Sequence, residues 1–283
     1  MTFNVSDNPL ITLNNGHKVA QLGLGVYKVQ QDVAVHVVEA AIERGYRRID
    51  TAALYDNEVE VGAGIRRSGI GRENIYVTTK IWNDRQGYDN ALEAIDESLM
   101  RLNIDYIDML LIHWPSPAQA KFVETWSAFE KALEGGKIRG IGVANFQPWH
   151  LDELIAAGKD GRTKGTVPAL NQVELNPTFG QDALRAYDTA HGIATEAWAP
   201  IARGTLTNDR VLAEVAAKHG KSATQVAIRW HIQLGNLVIP KTTNPDRMAE
   251  NIDVFDFSLD SDDLAAIAGL ETGERNGPDP DRF

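Results

Sequence analysis

The sequence predicts an α/β fold, a single (β/α)8 TIM barrel with an N-terminal β-hairpin and an extra C-terminal helix. Short apolar runs alternate with amphipathic segments along the 283 residues, and strands that alternate with helices form a parallel sheet. Eight such strand–helix units in about 250 residues match a closed barrel. An open doubly wound sheet is disfavoured, because GLGVYK after the first strand lacks the glycine spacing of a dinucleotide-binding turn.

Each element has its own signal in the sequence. Two short alternating runs around Asn14-Asn15-Gly16 predict a hairpin over residues 10–19. The predicted strands cover residues 22–26, 46–50, 75–80, 106–113, 139–143, 169–173, 194–198 and 237–239. The helices that follow them cover residues 32–44, 57–67, 89–102, 118–134, 148–157, 181–191, the pair 210–219 and 224–234, and 246–252. An extra helix is expected near 262–270.

No composition shift or linker divides the chain, so we expect one barrel domain over residues 1–283. Residues 271–283 are rich in Gly, Pro and Asp, which predicts a loop that lies over the barrel or a disordered tail.

Composition and charge exclude several classes of protein. The chain has no Cys, so disulfides, thiolate metal sites and thiol nucleophiles are excluded, and we expect no metal ion. Its formal net charge of -11 argues against a nucleic-acid binder but permits a local basic pocket for a phosphate. The N-terminus lacks the pattern of a signal peptide, and no apolar stretch approaches the roughly 18 residues of a membrane span. We therefore expect a cytoplasmic monomer whose partner is a small molecule, with no membrane association.

Polar side chains end three neighbouring strands of the predicted barrel. Asp50 ends strand 2, Lys80 ends strand 3 and His113 ends strand 4, while Tyr55 lies in the loop after strand 2. Each residue alone has an ordinary structural explanation, such as a capping Asp or a solvated Lys. Active sites of such barrels lie at the carboxyl ends of the strands, so together these residues predict one catalytic cleft.

These four residue types suit the reduction of a carbonyl group. A phenol has a pKa of about 10, and a nearby ammonium such as that of Lys80 is expected to lower the Tyr55 pKa. Asp50 is expected to pair with Lys80, which keeps the buried ammonium charged and oriented. His113 is placed to donate a hydrogen bond to a carbonyl oxygen and to hold it against the phenol. The missing part is a hydride donor.

At this point the chain resembles the aldo-keto reductase family, most closely its prokaryotic 2,5-diketo-D-gluconate reductase-type branch. The resemblance runs from the hairpin to about residue 252 and rests on six motifs in order: DTAALYDNEVEVG, TTKIWND, DMLLIHWP, GVANF, NQVELNP and IPKTTNPDRMAEN. It implies NADPH-dependent reduction of aldehydes and ketones, such as dicarbonyls and sugar-derived or aromatic carbonyls. Tyr55 would be the proton donor, Lys80 and Asp50 would tune it, and His113 would orient the carbonyl.

The resemblance also implies a site for NADPH or NADP+. A cationic stretch at a short helix after strand 8, with Lys241, Thr242 and Arg247, matches positions that hold the 2'-phosphate, and barrels often bind phosphate near strands 7 and 8. Trp198 is expected to stack on the nicotinamide. The other expected contacts are Asn145 and Gln172 to the carboxamide, Glu250 and Asn251 to the adenine, and a loop over the pyrophosphate formed by Ala199, Pro200, Ile201, Ala202 and Gly204. Ala144 stands where many members of the family have a Ser, so one hydrogen bond to the carboxamide is expected to be missing.

Aromatic residues follow three strands at the same end of the barrel. Tyr27, Trp82 and Trp114 are expected to form, with His113, an apolar slot for the substrate. Two other functions stay open from the sequence. A Schiff-base aldolase would use Lys80 as its nucleophile but leaves Lys241 and Arg247 unexplained. A non-catalytic nucleotide-binding sensor would keep the cofactor site but would not need the complete set of four polar residues.

Overall fold

Eight parallel strands form the predicted barrel in a computed structural model that describes residues 8–283. Residues 1–7 lie outside the described residues, and with them much of the segment on which the signal-peptide prediction rests. The first and last strands meet at a parallel bridge between Leu22 and Val238, where the Gly23 N–H donates to the Val238 carbonyl at 2.9 Å. The barrel strands are β3 (Leu24–Gly25), β4 (Arg48–Asp50), β5 (Tyr76–Ile81), β6 (Met109–Ile112), β7 (Ile141–Ala144), β8 (Leu170–Glu174), β9 (Ala194–Trp198) and β10 (Leu237–Val238).

The predicted hairpin lies at the N-terminal end of the barrel. Its strands β1 (Leu10–Thr12) and β2 (Lys18–Ala20) pair antiparallel, with Leu10 opposite Ala20. The hairpin residues Leu13 and Val19 pack in one buried cluster with barrel residues such as Met109 and Leu237. The hairpin therefore covers the end of the barrel opposite to the carboxyl ends of the strands, and it leaves that functional end open.

Ten helices surround the described barrel: α1 (Gln31–Glu43), α2 (Glu58–Arg67), α3 (Tyr88–Leu102), α4 (Phe122–Glu134), α5 (Pro148–Lys159), α6 (Asp182–Ala190), α7 (Arg210–His219), α8 (Ala223–Gln233), α9 (Pro245–Ile252) and α10 (Ser261–Ala268). The extra C-terminal helix is thus confirmed as α10, which Asp260 caps with its side chain. The prediction was wrong at the start of α4, because Ala120 adopts a left-handed backbone with φ of 53° and separates a short turn from the helix.

Apolar helix faces pack against the outside of the strands and form the main buried cluster. Neighbouring helices approach closely: a Cβ atom at Gly62 on α2 would lie 1.9 Å from the Leu102 carbonyl oxygen on α3. Glycine is therefore required where these two helices meet. None of the helices between residues 8 and 283 is both long and apolar enough to cross a membrane.

The tail 271–283 lies as an ordered loop across the carboxyl end of the barrel. The backbone N–H groups of Asn276 and Gly277 donate to the Glu174 carboxylate at 2.7 and 2.9 Å. Farther along, the Phe283 ring packs on Trp114 with a centroid distance of 4.5 Å. Of the two alternatives predicted for this segment, a covering loop is the one observed.

Candidate active site

The structure brings together the four polar residues that the sequence singled out. Asp50 is the last residue of β4, Lys80 lies near the end of β5, and His113 follows β6 directly. The Lys80 ammonium donates to Asp50 Oδ1 at 2.6 Å and to the Thr51 carbonyl oxygen at 2.8 Å. The Tyr55 ring lies 5.1 Å from Lys80 Nζ, and its centroid lies 5.7 Å from that of the His113 ring. Asp50, Lys80 and His113 are buried, and Tyr55 is half-buried at the carboxyl ends of the strands.

A buried asparagine fixes the turn that carries the phenol. Tyr55 ends a short 3-10 turn, and Asp56 breaks it with a left-handed φ of 53°. Asn57 is 0% exposed, and its amide donates to the carbonyl oxygens of Val26 and Val29, each at 3.1 Å. The Thr51 hydroxyl in turn donates to Asn57 Oδ1 at 2.8 Å. These bonds hold the Tyr55 turn against the ends of β3 and β4.

The electrostatics of the site differ from the prediction at Tyr55. Burial, followed by the charge of Asp50, raises the pKa of Tyr55 well above its usual value of 10, although a lowered pKa was expected. The reason lies in the geometry, because Asp50 in direct contact offsets part of the Lys80 charge and burial outweighs the rest. Burial, assisted by the Lys80 charge, holds the pKa of His113 well below its usual value, so its imidazole is neutral at pH 7. The site therefore presents a protonated phenol beside a neutral imidazole.

Asn145 and Gln172 lie beside this cluster, and each has one side of its amide left free. Gln172 Nε2 donates to Asp50 Oδ2 at 2.7 Å and to Glu196 Oε2 at 2.8 Å, which uses both hydrogens and leaves the oxygen. Asn145 Nδ2 donates to the His113 carbonyl oxygen at 2.9 Å, and its Oδ1 accepts from Trp198 Nε1 at 2.8 Å, which leaves one N–H. A free acceptor and a free donor fit the two ends of a carboxamide, and the half-buried Trp198 ring lies next to them.

The predicted pyrophosphate loop contains several unusual backbone conformations. Ala199, Ala202, Arg203 and Gly204 have φ values of 50°, 47°, 57° and 94°, and short 3-10 turns run through Ala202–Asn208. Non-glycine residues with such angles are uncommon, and they cluster at ligand sites because the strain orients backbone groups. Arg203 also places its guanidinium 5.9 Å from the Trp198 ring centroid. The motif-based prediction did not include this arginine.

The predicted phosphate-binding residues lie at the start of α9. Lys241 and Arg247 are exposed, and neither forms a salt bridge with any residue of the described chain. The Thr242 hydroxyl accepts from the Asn244 N–H at 3.1 Å, and Asn244 caps the helix by accepting from the Asp246 N–H at 2.8 Å. Two free cations beside a helix N-terminus fit a phosphate group. Of the two residues expected at the adenine, Glu250 accepts a hydrogen bond from Ser222 Oγ, and Asn251 is buried.

Aromatic rings line the mouth of the site. Tyr27 packs on Tyr55 and Trp82 packs on His113, each with a centroid distance of 5.0 Å. Trp114 contacts Phe283, which comes from the tail and also lies 6.0 Å from Trp82. Sequence reasoning missed Phe283, because no local pattern shows where a Gly/Pro-rich tail crosses a barrel. It also missed Arg48, Glu174 and Glu196, although buried charges inside apolar strands were a visible signal.

Comparison with known proteins decides the family. The sequence profile of the Aldo/keto reductase family matches residues 19–272. The chain belongs to this family. This aldo/keto reductase is 47% identical over 274 residues to a glyoxal reductase of Bacillus subtilis, with 96% of each chain covered. It is 43% identical over 279 residues to the methylglyoxal reductase DkgA of Escherichia coli K12, with 98% of each chain covered.

A solved structure of a Gox0644 variant in complex with NADPH has a TM-score of 0.91 to this aldo/keto reductase. The two are 43% identical, and the match covers 97% of this chain and 98% of that one. Family membership confirms the predicted enzyme class, an NADP-dependent oxidoreductase, together with the predicted barrel. The roles of the individual side chains stay predictions.

Proposed function

We propose that this aldo/keto reductase reduces small aldehydes and ketones to alcohols with NADPH, and that Tyr55 donates the proton. The observation that carries the proposal is the contact of a protonated phenol with a neutral imidazole above the buried Lys80–Asp50 pair. Bound NADPH supplies a hydride to the carbonyl carbon. The protein must then hold the carbonyl oxygen and protonate it as negative charge develops there.

His113 and Tyr55 divide this work. The neutral His113 imidazole donates one N–H to the carbonyl oxygen, and its Nδ1 has no hydrogen-bond partner among the described residues. Tyr55 keeps its proton at neutral pH because its pKa is raised. An alkoxide is a far stronger base than a phenolate, so this weak acid still protonates the oxygen once hydride has arrived. The adjacent Lys80 ammonium then offsets the charge left on the phenolate oxygen.

The groups around the tetrad would orient the cofactor. The free Gln172 oxygen would accept from the amide end of the nicotinamide carboxamide, and the free Asn145 N–H would donate to its carbonyl end. Trp198 would pack on the ring, and the loop with left-handed residues 199–204 would cover the pyrophosphate. Lys241 and Arg247, with Thr242, would bind the 2'-phosphate, while Asn251 and Glu250 would contact the adenine side.

The aromatic mouth favours small, partly apolar carbonyl compounds. Tyr27, Trp82, Trp114 and Phe283 surround the approach to His113 with ring faces and edges. We propose dicarbonyl compounds and aromatic aldehydes as substrates, because both are flat enough for such a slot and present an activated carbonyl. A relative named glyoxal reductase supports the dicarbonyl class.

Two alternative functions have less support from the geometry. A Schiff-base aldolase would need the Lys80 amine to approach a substrate, but Lys80 is 0% exposed and donates to Asp50 and to the Thr51 carbonyl. A non-catalytic sensor would have no need of a proton donor and an oriented imidazole at the mouth of the cofactor site. We therefore favour the reductase.

The test replaces the proton donor with a ring that lacks only the hydroxyl. Tyr55→Phe is expected to lower kcat for carbonyl reduction by about 10²–10⁴-fold, which is the usual contribution of a general acid. NADPH binding, followed by tryptophan fluorescence, should change little. Tyr187→Phe, which removes a surface hydroxyl that donates to Asp152, is a matched control and should keep full activity. A kcat near that of the wild type in Tyr55→Phe would refute the assignment.

A further inference from the structure

Four buried charged side chains lie in a row inside the barrel, and one neutral amide joins them. Arg48 on β4 pairs with Glu196 on β9, and both are 1% exposed. Gln172 on β8 connects Glu196 to Asp50, which holds Lys80. The mechanism uses Asp50, Lys80 and Gln172 but leaves the Arg48–Glu196 pair without a role.

Glu196 takes up the second hydrogen of the Gln172 amide. Two carboxylate oxygens, one from Asp50 and one from Glu196, lie within 2.8 Å of the same amide nitrogen. A carboxylate accepts hydrogen bonds and does not donate them, so both amide hydrogens are used. Without Glu196, only Asp50 would accept from the Gln172 amide. The second N–H would then be free, and the amide could offer a ligand a donor as well as its oxygen. Glu196 thus leaves the Gln172 amide with only its oxygen available to a ligand.

Arg48 keeps Glu196 in the form that can accept. Burial raises the pKa of the Glu196 carboxyl, and the charge of Arg48 opposes that shift. Arg48 also donates to the Val238 carbonyl oxygen at 3.2 Å, which ties it to β10. A Cβ atom at Gly23 would lie 2.5 Å from Arg48 Nε, so a glycine provides the room for the guanidinium. A buried ion pair seldom makes a protein more stable than apolar residues would in its place. A role in orienting Gln172 therefore explains the Arg48–Glu196 pair better than a role in stability.

We propose that Glu196, paired with Arg48, is a positioning residue that makes Gln172 an acceptor for the amide N–H of the nicotinamide carboxamide. This inference rests on the proposed function, because it assumes that Gln172 faces the carboxamide. It adds that cofactor recognition depends on two charged residues that touch neither cofactor nor substrate.

The experiment compares binding of NADP+ with that of its acetylpyridine analogue, in which a methyl ketone replaces the carboxamide and no N–H remains. Binding of both is measured by quenching of tryptophan fluorescence, so no turnover is needed. The wild type is expected to bind NADP+ about fivefold more tightly, which corresponds to one hydrogen bond. The double variant Arg48→Met with Glu196→Met is expected to lower this preference, because the second N–H of Gln172 is then free. Arg48→Met with Glu196→Gln keeps a neutral acceptor and should restore part of the preference.

Two further variants separate positioning from a general loss of structure. Glu196→Asp keeps the negative charge near Arg48 but shortens the side chain by one methylene, which draws the carboxylate away from Gln172. It should also lower the preference, and it provides the test if the double Met variant does not fold. Glu58→Gln with Arg101→Met removes another Glu–Arg pair, in which Glu58 is buried and Arg101 is partly exposed, and it should keep the wild-type preference.

The possible outcomes distinguish this inference from the proposed function. Equal weakening of both nucleotides, with an unchanged ratio in the double Met variant and in Glu196→Asp, would overturn the positioning role alone. No preference in the wild type would overturn the carboxamide contact of Gln172 and this inference with it. Failure of the wild type to bind NADP+ at all would overturn the proposed function.

Discussion

Replacing Arg247 tests the proposed binding site for the 2'-phosphate of the cofactor. NADPH and NADH differ only by the 2'-phosphate, so only a group that touches this phosphate can discriminate between them. Arg247 lies on α9 with its side chain exposed, and Lys241 precedes the same helix. Arg247→Ala should therefore weaken NADPH binding and leave NADH binding nearly unchanged.

The size of the effect follows from the surroundings of Arg247. No acidic side chain of the described residues pairs with it, so its whole charge is available to a phosphate. A charge-assisted hydrogen bond contributes about 1.5–3 kcal/mol, and exposure to solvent places this one at the lower end. A loss of about 1.5 kcal/mol corresponds to roughly tenfold weaker NADPH binding. Salt should weaken NADPH binding to the wild type by screening the same charge.

Titration of both cofactors by fluorescence quenching measures this difference directly. Arg210→Ala is a matched control, because Arg210 is an exposed arginine at the start of α7 with a side chain that is 88% exposed. It should leave both affinities unchanged. Equal losses for NADPH and NADH in Arg247→Ala would show that Arg247 supports the fold or the adenine instead, and would refute the phosphate site.

Two further substitutions test the buried charges. Lys80→Met should abolish reduction and shift the basic limb of the pH–rate profile, because the ammonium offsets charge on the phenolate of Tyr55. The single variant leaves Asp50 buried without its partner, at a cost of roughly 3–5 kcal/mol in stability, so Lys80→Met with Asp50→Asn is the better-folded form. An active variant with an unchanged pH–rate profile would refute the role of Lys80. Burial raises the pKa of Asp188 to about 7, against the hydrogen bonds from Asn171 and Thr195. The folded protein thus binds more protons than the unfolded chain between pH 4 and 7, and its free energy of unfolding should fall as the pH rises through this range. Asp188→Asn should remove that slope in urea denaturation, and an identical slope in the variant would contradict the burial argument.

Local patterns in the sequence were sufficient to predict the barrel and the four polar residues of the site. Periodicity identifies a strand or a helix from neighbouring residues alone, and a parallel barrel places every strand end on one side. Asp50 and His113 could therefore be assigned to one cleft without knowing any distance. The family motifs added the expected roles, since the same residue types recur there in the same order.

The orientation of the Gln172 amide, the raised pKa of Tyr55 and the position of Phe283 were decided only by the tertiary structure. Each depends on groups that are far apart in the chain. Glu196 and Asp50 accept from the same Gln172 amide, and Phe283 of the tail packs on Trp82. The pKa of a group depends on everything that surrounds it. The sequence around Tyr55 therefore suggested the Lys80 ammonium but not the burial and the Asp50 charge that outweigh it. The sequence by itself determined that the four polar residues meet at the carboxyl ends of the strands, whereas the place of Phe283, the protonation of the site and its hydrogen-bonding directions required the packed barrel.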